Sequence, residues 1–292
     1  MSALSDNARG ALLMSASMAG FVVNDALMKL VSGEMSLYQA MLLRGIAATA
    51  LLGALAWARG ALRPTVAPAD GPRLALRTAC EAGATLCFLT ALFNMPIANA
   101  TAILQTLPLT VTLGAAILFR EPVGWRRLGA IAVGFLGVLA IIRPGLAGFD
   151  ATGLWALAAV GFVTVRDLVT RRFDKGLPSL FVALLTASAI TLTGGVGVIL
   201  TGLRAPPVWT LLALAGAATA LAGAYLSAVA TMRVGEIAVV SPFRYTILIW
   251  AILLGWALFG EIPDAMTVLG AATVAVAGLY ALRRERIRRV RG

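Results

Sequence analysis

The sequence predicts an all-α integral membrane protein of ten transmembrane helices, arranged as two inverted five-helix repeats with both termini cytoplasmic. Three observations carry that prediction. Of the 292 residues, 60% are hydrophobic and 13% charged, a balance that leaves a soluble fold with more apolar surface than it can hide. Ten apolar windows of about 15 to 27 residues follow one another, each close to the roughly 20 residues that cross a hydrocarbon core as helix. The second half of the chain also repeats the first.

In order, the windows lie near 8–32, 35–58, 73–94, 97–119, 126–142, 151–172, 178–201, 208–232, 236–259 and 264–283. The first has only Arg9 before it and is read as a span rather than a cleavable signal. Pro96, Pro122, Pro144, Pro178, Pro207 and Pro263 fall at or near the boundaries, where a missing amide donor costs little. The 30 glycines, spread through apolar segments, suit membrane helices that approach closely.

A net charge of +11 would fit nucleic acid, but the placement of the basic residues reads as topology. With a cytoplasmic N-terminus, 18 of the 24 Lys and Arg fall in inside regions, among them Arg9, Arg59, Arg63, Arg73, Arg77, Arg120, Arg126, Arg127, Arg171, Arg172, Lys175 and Arg233. The outside loops hold Lys29, Arg143 and Arg204, and Arg44, Arg166 and Arg244 fall inside spans. Histidine is absent, which excludes histidine relays, histidine metal sites and Ser-His or Cys-His catalysis. Cys80 and Cys87 share one apolar segment without metal-ligand spacing and read as packing. No catalytic residue, metal site, cofactor or nucleic-acid partner is expected; an intramembrane enzyme would need clustered acids or a nucleophile with a base.

The repeat has a shift of about 141 residues, aligning Leu128-Gly129-Ala130 with Leu269-Gly270-Ala271 and Gly137 with Gly278. Glu121 and Pro122 match Glu261 and Pro263, Thr101 and Gln105 match Ser241 and Tyr245, and Gly20-Phe21 matches Gly161-Phe162. Residues 1–145 form the first copy, 146–283 the second, and 284–292 a basic cytoplasmic tail. Five spans per copy turn the second copy upside down, an arrangement typical of transporters.

The pattern around Pro108, Glu121, Pro122, Gly129 and Gly137, found again at Tyr245, Glu261, Pro263, Gly270 and Gly278, resembles the EamA repeat of the drug/metabolite transporter superfamily. Two copies cover nearly the whole chain. The resemblance implies a ten-helix basket in a bacterial inner membrane, with a cavity lined by helices 3, 4, 8 and 9 and helices 1, 2, 6 and 7 rocking around it. It also implies metabolite export. Within the superfamily the chain is similar to the bacterial branch that exports amino acids, the aromatic amino acid exporter YddG included.

Helix 4 sets Thr101, Gln105, Pro108 and Thr112 on one face, with Ser241 and Tyr245 at matching places on helix 9. Helix 3 adds Glu81, Thr85 and Phe88, and helix 8 adds Thr219, Gly223, Tyr225 and Ser227. Together they line a cavity or serve as glue between helices. Glu81 and Arg244 are charges inside spans, so each must face water, a partner or cargo. They would clamp a zwitterionic amino acid, or pair with each other. Asn24 adds a polar contact on helix 1. Arg44 needs a partner, and Asp25 is the expected one. Asp25 with Lys29, and Asp167 with Arg171, read as helix-end ion pairs, with gating or proton coupling by Asp25, Arg44 and Asp167 as the alternative. Glu121 and Glu261 are expected at cytoplasmic helix ends, paired to arginines or capping helices 5 and 10. Small residues at Ala130, Gly134 and Gly137, matched by Ala271, Ala275 and Gly278, let helices 5 and 10 pack within the chain or at a homodimer seam. The expected function is alternating-access export of an amino acid or similar metabolite. Carriers of phosphorylated or nucleotide-linked sugars, or of drug-like solutes, are alternatives on the same fold.

Overall fold

The computed structural model describes residues 5–62, 66–68, 70–121, 123–143, 151–173, 177–234 and 236–291. Arg63, Pro122, Pro144, Lys175 and the expected repeat junction at 145/146 lie outside the described residues. Among the described residues, ten helices are long and apolar enough to cross a membrane. Helix 1 is Asp6–Leu30, helix 2 Leu37–Ala58, helix 3 Asp70–Asn94, helix 4 Ile97–Phe119 and helix 5 Trp125–Ile142. Helix 6 is Thr152–Thr170, helix 7 Ser179–Thr201, helix 8 Val208–Val234, helix 9 covers 237–259 and helix 10 is Ala265–Arg291. The expected spans agree to within a turn, except that helix 10 carries the basic tail onward as helix.

Local chemistry sets the ends. Ser5 accepts from the Ala8 amide and Ser36 from the Gln39 amide, each filling an orphan donor of a first turn. Asp264 does the same for helix 10, accepting from the Thr267 amide at 2.9 Å. Helix 4 stops at Arg120 and helix 9 at Gly260, both left-handed, with φ of 54 and 67°. A glycine adopts that backbone freely, whereas an arginine pays for its Cβ.

Helices 4 and 9 are both interrupted. Helix 4 runs Ile97–Leu104, breaks at Gln105 and Thr106, and resumes as Leu107–Phe119. Pro108 stands at the restart, where it has no amide to give. Helix 9 runs Ile237–Val240, tightens into a 3-10 stretch Ser241–Tyr245 containing Pro242, and resumes as Thr246–Phe259.

Packing follows a rule that crosses the chain: helix 1 lies on helix 8, 2 on 7, 3 on 6, 4 on 9 and 5 on 10. Exchanging helices 1–5 with 6–10 returns the same set of pairs, which is the internal pseudo-symmetry of an inverted repeat. Helices 5 and 10 approach one another backbone to backbone. A Cβ on Gly137 would meet the Gly270 carbonyl at 2.8 Å, and one on Gly270 would meet the Gly137 carbonyl at 2.6 Å. The small residues of these helices therefore serve contact within the chain.

Side-chain contacts sort the helix ends into two groups. At one, Gln39 exchanges hydrogen bonds with the Arg204 main chain, Arg143 pairs with Asp264, and Lys29 pairs with Glu261. At the other, Arg73 donates to the Arg172 carbonyl, the Glu236 amide to Asn7, and Arg171 faces Glu121.

Candidate functional site

The breaks in helices 4 and 9 gather buried polar groups with nothing to bond. Thr101, Gln105 and Tyr245 are 3, 5 and 7% exposed. Among the described residues, Thr101 Oγ1, Gln105 Nε2, Tyr245 OH and Arg244 Nε have no hydrogen-bond partner. A buried amide or hydroxyl left unpaired costs on the order of 1–3 kcal/mol, so four at matching turns call for a polar visitor. Ser241, half-buried, starts the 3-10 stretch of helix 9. The Tyr245 hydroxyl sits against Gly278, in space that any side chain there would fill.

Two charged clusters flank this region. In one, Asn24 of helix 1 donates to Asp25 at 2.9 Å and accepts from Arg44 of helix 2 at 3.2 Å. The expected pairing of Asp25 with Arg44 thus runs through an amide. In the other, Arg166 of helix 6 donates to both carboxylate oxygens of Glu81, at 2.9 and 3.0 Å, and pairs with Asp167 at 2.8 Å. Arg77 lies 3.9 Å from Glu81 and donates to Thr170 at 3.1 Å and Thr186 at 2.5 Å.

Tyr225 joins the clusters. It is 58% exposed although it lies within a span, its ring meets Phe21 edge-on at 5.2 Å, and its hydroxyl is within electrostatic reach of Arg44, Glu81, Arg166 and Arg77. Thr85 and Ser227 are half-buried, and Phe88 packs against two apolar core clusters rather than standing free as a wall.

Several expected pairings give way to partners that only the fold supplies. Glu81 is held by Arg166, not Arg244. Lys29 turns from Asp25 to Glu261, and Arg171 from Asp167 to Glu121. Glu261 lies at the end opposite Glu121, because five spans per copy reverse the second one. Arg166 and Arg77 are the site residues that sequence reasoning missed. The signal was present in Arg77 and Glu81, four apart on one helix face.

Interrupted spans, paired interior charges and crossed halves define a membrane transporter for small molecules. Residues 8–143 match the EamA-like transporter family. It is 28% identical to the riboflavin transporter of Brucella anthropi over 72% of this chain and 76% of that one. It is 26% identical to the pseudopaline exporter CntI of Pseudomonas aeruginosa over 92 and 94% of the two chains. To the S-adenosylmethionine uptake transporter of Rickettsia prowazekii it is 23% identical over 65% of each. A crystal structure aligned over 97% of this chain and 99% of the other, with TM-score 0.64 and 19% identity, shares the fold. The protein is a multi-pass component of a bacterial inner membrane, and its work is transport rather than catalysis.

Proposed function

We propose that the chain exports an amino acid or related small metabolite by alternating access, along a path between helices 3, 4, 8 and 9. The observation that carries this is the pair of interrupted helices with unpaired Thr101, Gln105, Arg244 and Tyr245 at their breaks. Half-helices meeting within the bilayer are where transporters of this build hold cargo. Arg244 suits a carboxylate, while the oxygens of Gln105 and Thr101 suit an ammonium. Tyr225 and Phe21 offer an aromatic wall, which favours the YddG-like amino acid branch. Glu81, Thr85, Asn24, Ser227 and Ser241 complete the cargo-facing set, and Asp25, Arg44 and Asp167 its gating or coupling set. The 141-residue repeat supports the division into 1–145 and 146–283, and the arginine distribution supports cytoplasmic termini.

The relatives named for riboflavin and S-adenosylmethionine support a second reading, in which cargo is a larger heteroaromatic metabolite. Proteoliposomes loaded with labelled amino acids, aromatic ones included, decide between them, with riboflavin, S-adenosylmethionine and a sugar phosphate as comparison arms. The expected result is release of at least one amino acid faster than from protein-free vesicles. Release confined to the comparison arms defeats the amino acid reading. Arg244→Ala is expected to raise the half-saturating concentration of a carboxylate cargo about tenfold, the loss of one charged hydrogen bond.

A further inference from the structure

The two ends of the bundle are closed by the same positions in opposite copies, and they are closed unequally. Where helix 9 stops, Glu261 pairs with Lys29 through one oxygen and accepts the Ile97 amide at 2.9 Å through the other. Lys29 Nζ also donates to the Met95 carbonyl at 2.7 Å and stands 5.2 Å over the Phe259 ring. A single cluster thereby ties the ends of helices 1, 3, 4 and 9. Its two charged side chains are 11 and 19% exposed.

At the opposite end the counterpart residues, 140 to 142 positions away, are Phe119, Glu121 and Arg171. Among the described residues Glu121 meets only Arg171, at 3.7 Å, and these side chains are 51 and 54% exposed. The Phe119 ring is taken by the neighbouring Arg172, 4.7 Å above it. An ion pair half in water is worth little and parts readily, whereas one that is covered and held by further hydrogen bonds resists separation. Helices 4 and 9 pack on one another, so displacement of one segment at its end carries the other.

We propose that Lys29–Glu261 and Arg171–Glu121 are paired end latches of the transport cycle. The first is covered and firmly shut here and the second only loosely held, half in water; the reverse arrangement opens the path at the Lys29 end. This rests on the alternating-access reading above.

The test uses the full chain in proteoliposomes, with the two buried cysteines replaced (Cys80→Ala, Cys87→Ala) and Tyr225→Cys as reporter. A membrane-impermeant maleimide is applied from either side. The parent is expected to label mainly from the Arg171 side. Glu261→Gln should raise labelling from the Lys29 side about tenfold, within the range of ordinary coupling between states. Glu121→Gln should change the ratio less than about threefold, since that pair is half in water and loosely held. The double exchange Lys29→Glu with Glu261→Lys keeps the charge pair but loses the acceptor for the Ile97 amide and the donor to the Met95 carbonyl, so it should restore the parent ratio only in part. An unchanged ratio in folded Glu261→Gln overturns the proposal. Should that variant fail to fold, Lys29→Met is labelled in its place, and an unchanged ratio in that folded variant overturns the proposal equally. Labelling needs no cargo, so absent flux would count against the transport proposal and leave this measurement standing.

Discussion

The helix 1 cluster and the helix 6 cluster occupy the same place in the two copies and do different things. Asn24 and Asp25 lie 142 residues before Arg166 and Asp167, and Arg44 lies 142 before Thr186. In the first cluster a neutral amide stands between acid and base. In the second, one guanidinium grips two carboxylates and a second, Arg77, bonds the threonine at the place corresponding to Arg44. The scaffold therefore repeats while its charges do not. Inversion constrains which helices touch, since every pair must have a mate. It leaves free what each helix carries, so a symmetric frame comes to hold an asymmetric path.

The largest expected effect breaks that asymmetry at Arg166. Replacing it with Met leaves the covered Glu81 with Arg77, 3.9 Å away, in place of a two-pronged partner, and removing one partner of a covered ion pair costs roughly 3 kcal/mol. Arg44→Met should cost less than half of that, because among the described residues its side-chain hydrogen bond goes to the neutral amide of Asn24. Thermal unfolding in detergent measures both. Arg166→Lys is expected to recover part of the loss, since an ammonium cannot bond both acids in the same fork. Equal losses at Arg44 and Arg166 would erase the distinction between the clusters.

How much of this could be read from sequence divides along the same line. The ten spans follow from apolar length, and the inverted halves from a repeat with an odd number of spans, because both signals are local or periodic. The interruption of helix 4 left a trace in Pro108, and that of helix 9 in Pro242, yet proline also sits at ordinary helix starts and does not announce a break alone. Charge partners were the least legible. Asp25 and Lys29 stand four apart and are able to pair, but the fold brings Glu261 to Lys29 from 232 residues away. Glu261 matches Glu121 in sequence, and a cytoplasmic end for both is the local expectation, yet inversion puts Glu261 at the opposite end of the bundle. A local pattern states which contacts are geometrically available; the packing of the other copy decides which is taken.

The symmetric part of the comparison predicts equal effects. Gly137→Ala and Gly270→Ala each drive a methyl into the other helix's backbone carbonyl, which no side-chain rotation relieves. Each should cost about 1–3 kcal/mol, with the two values close, as overpacking of a tight contact usually does. Their double variant should cost less than the sum, since the first substitution already separates helices 5 and 10. Strongly unequal losses would mean that the two copies do not share this contact evenly.

The smallest effect concerns the starts of those same helices. Asp264 begins helix 10, whereas Gly124, 140 residues earlier, begins helix 5 without a side-chain bond. The Arg143 guanidinium, together with the Thr267 amide, holds the Asp264 carboxyl down to about 2, below its ordinary 3.8. A carboxyl depressed on folding contributes stability above its unfolded value, and that contribution disappears as pH falls through the folded one. The stability gap between the natural chain and Asp264→Asn should therefore be full near pH 6, shrink below about pH 4 and vanish near pH 2. Asp264 is about half exposed, so screening by solvent holds the gap to about 1 kcal/mol or less, and added salt should narrow it. Gly124→Asp supplies the missing cap in the first copy. It should stabilise helix 5 by only a few tenths of a kcal/mol, the usual difference between glycine and aspartate at that position. A gain as large as the Asp264 gap would show that capping alone, without Arg143, accounts for the difference between the two helix starts.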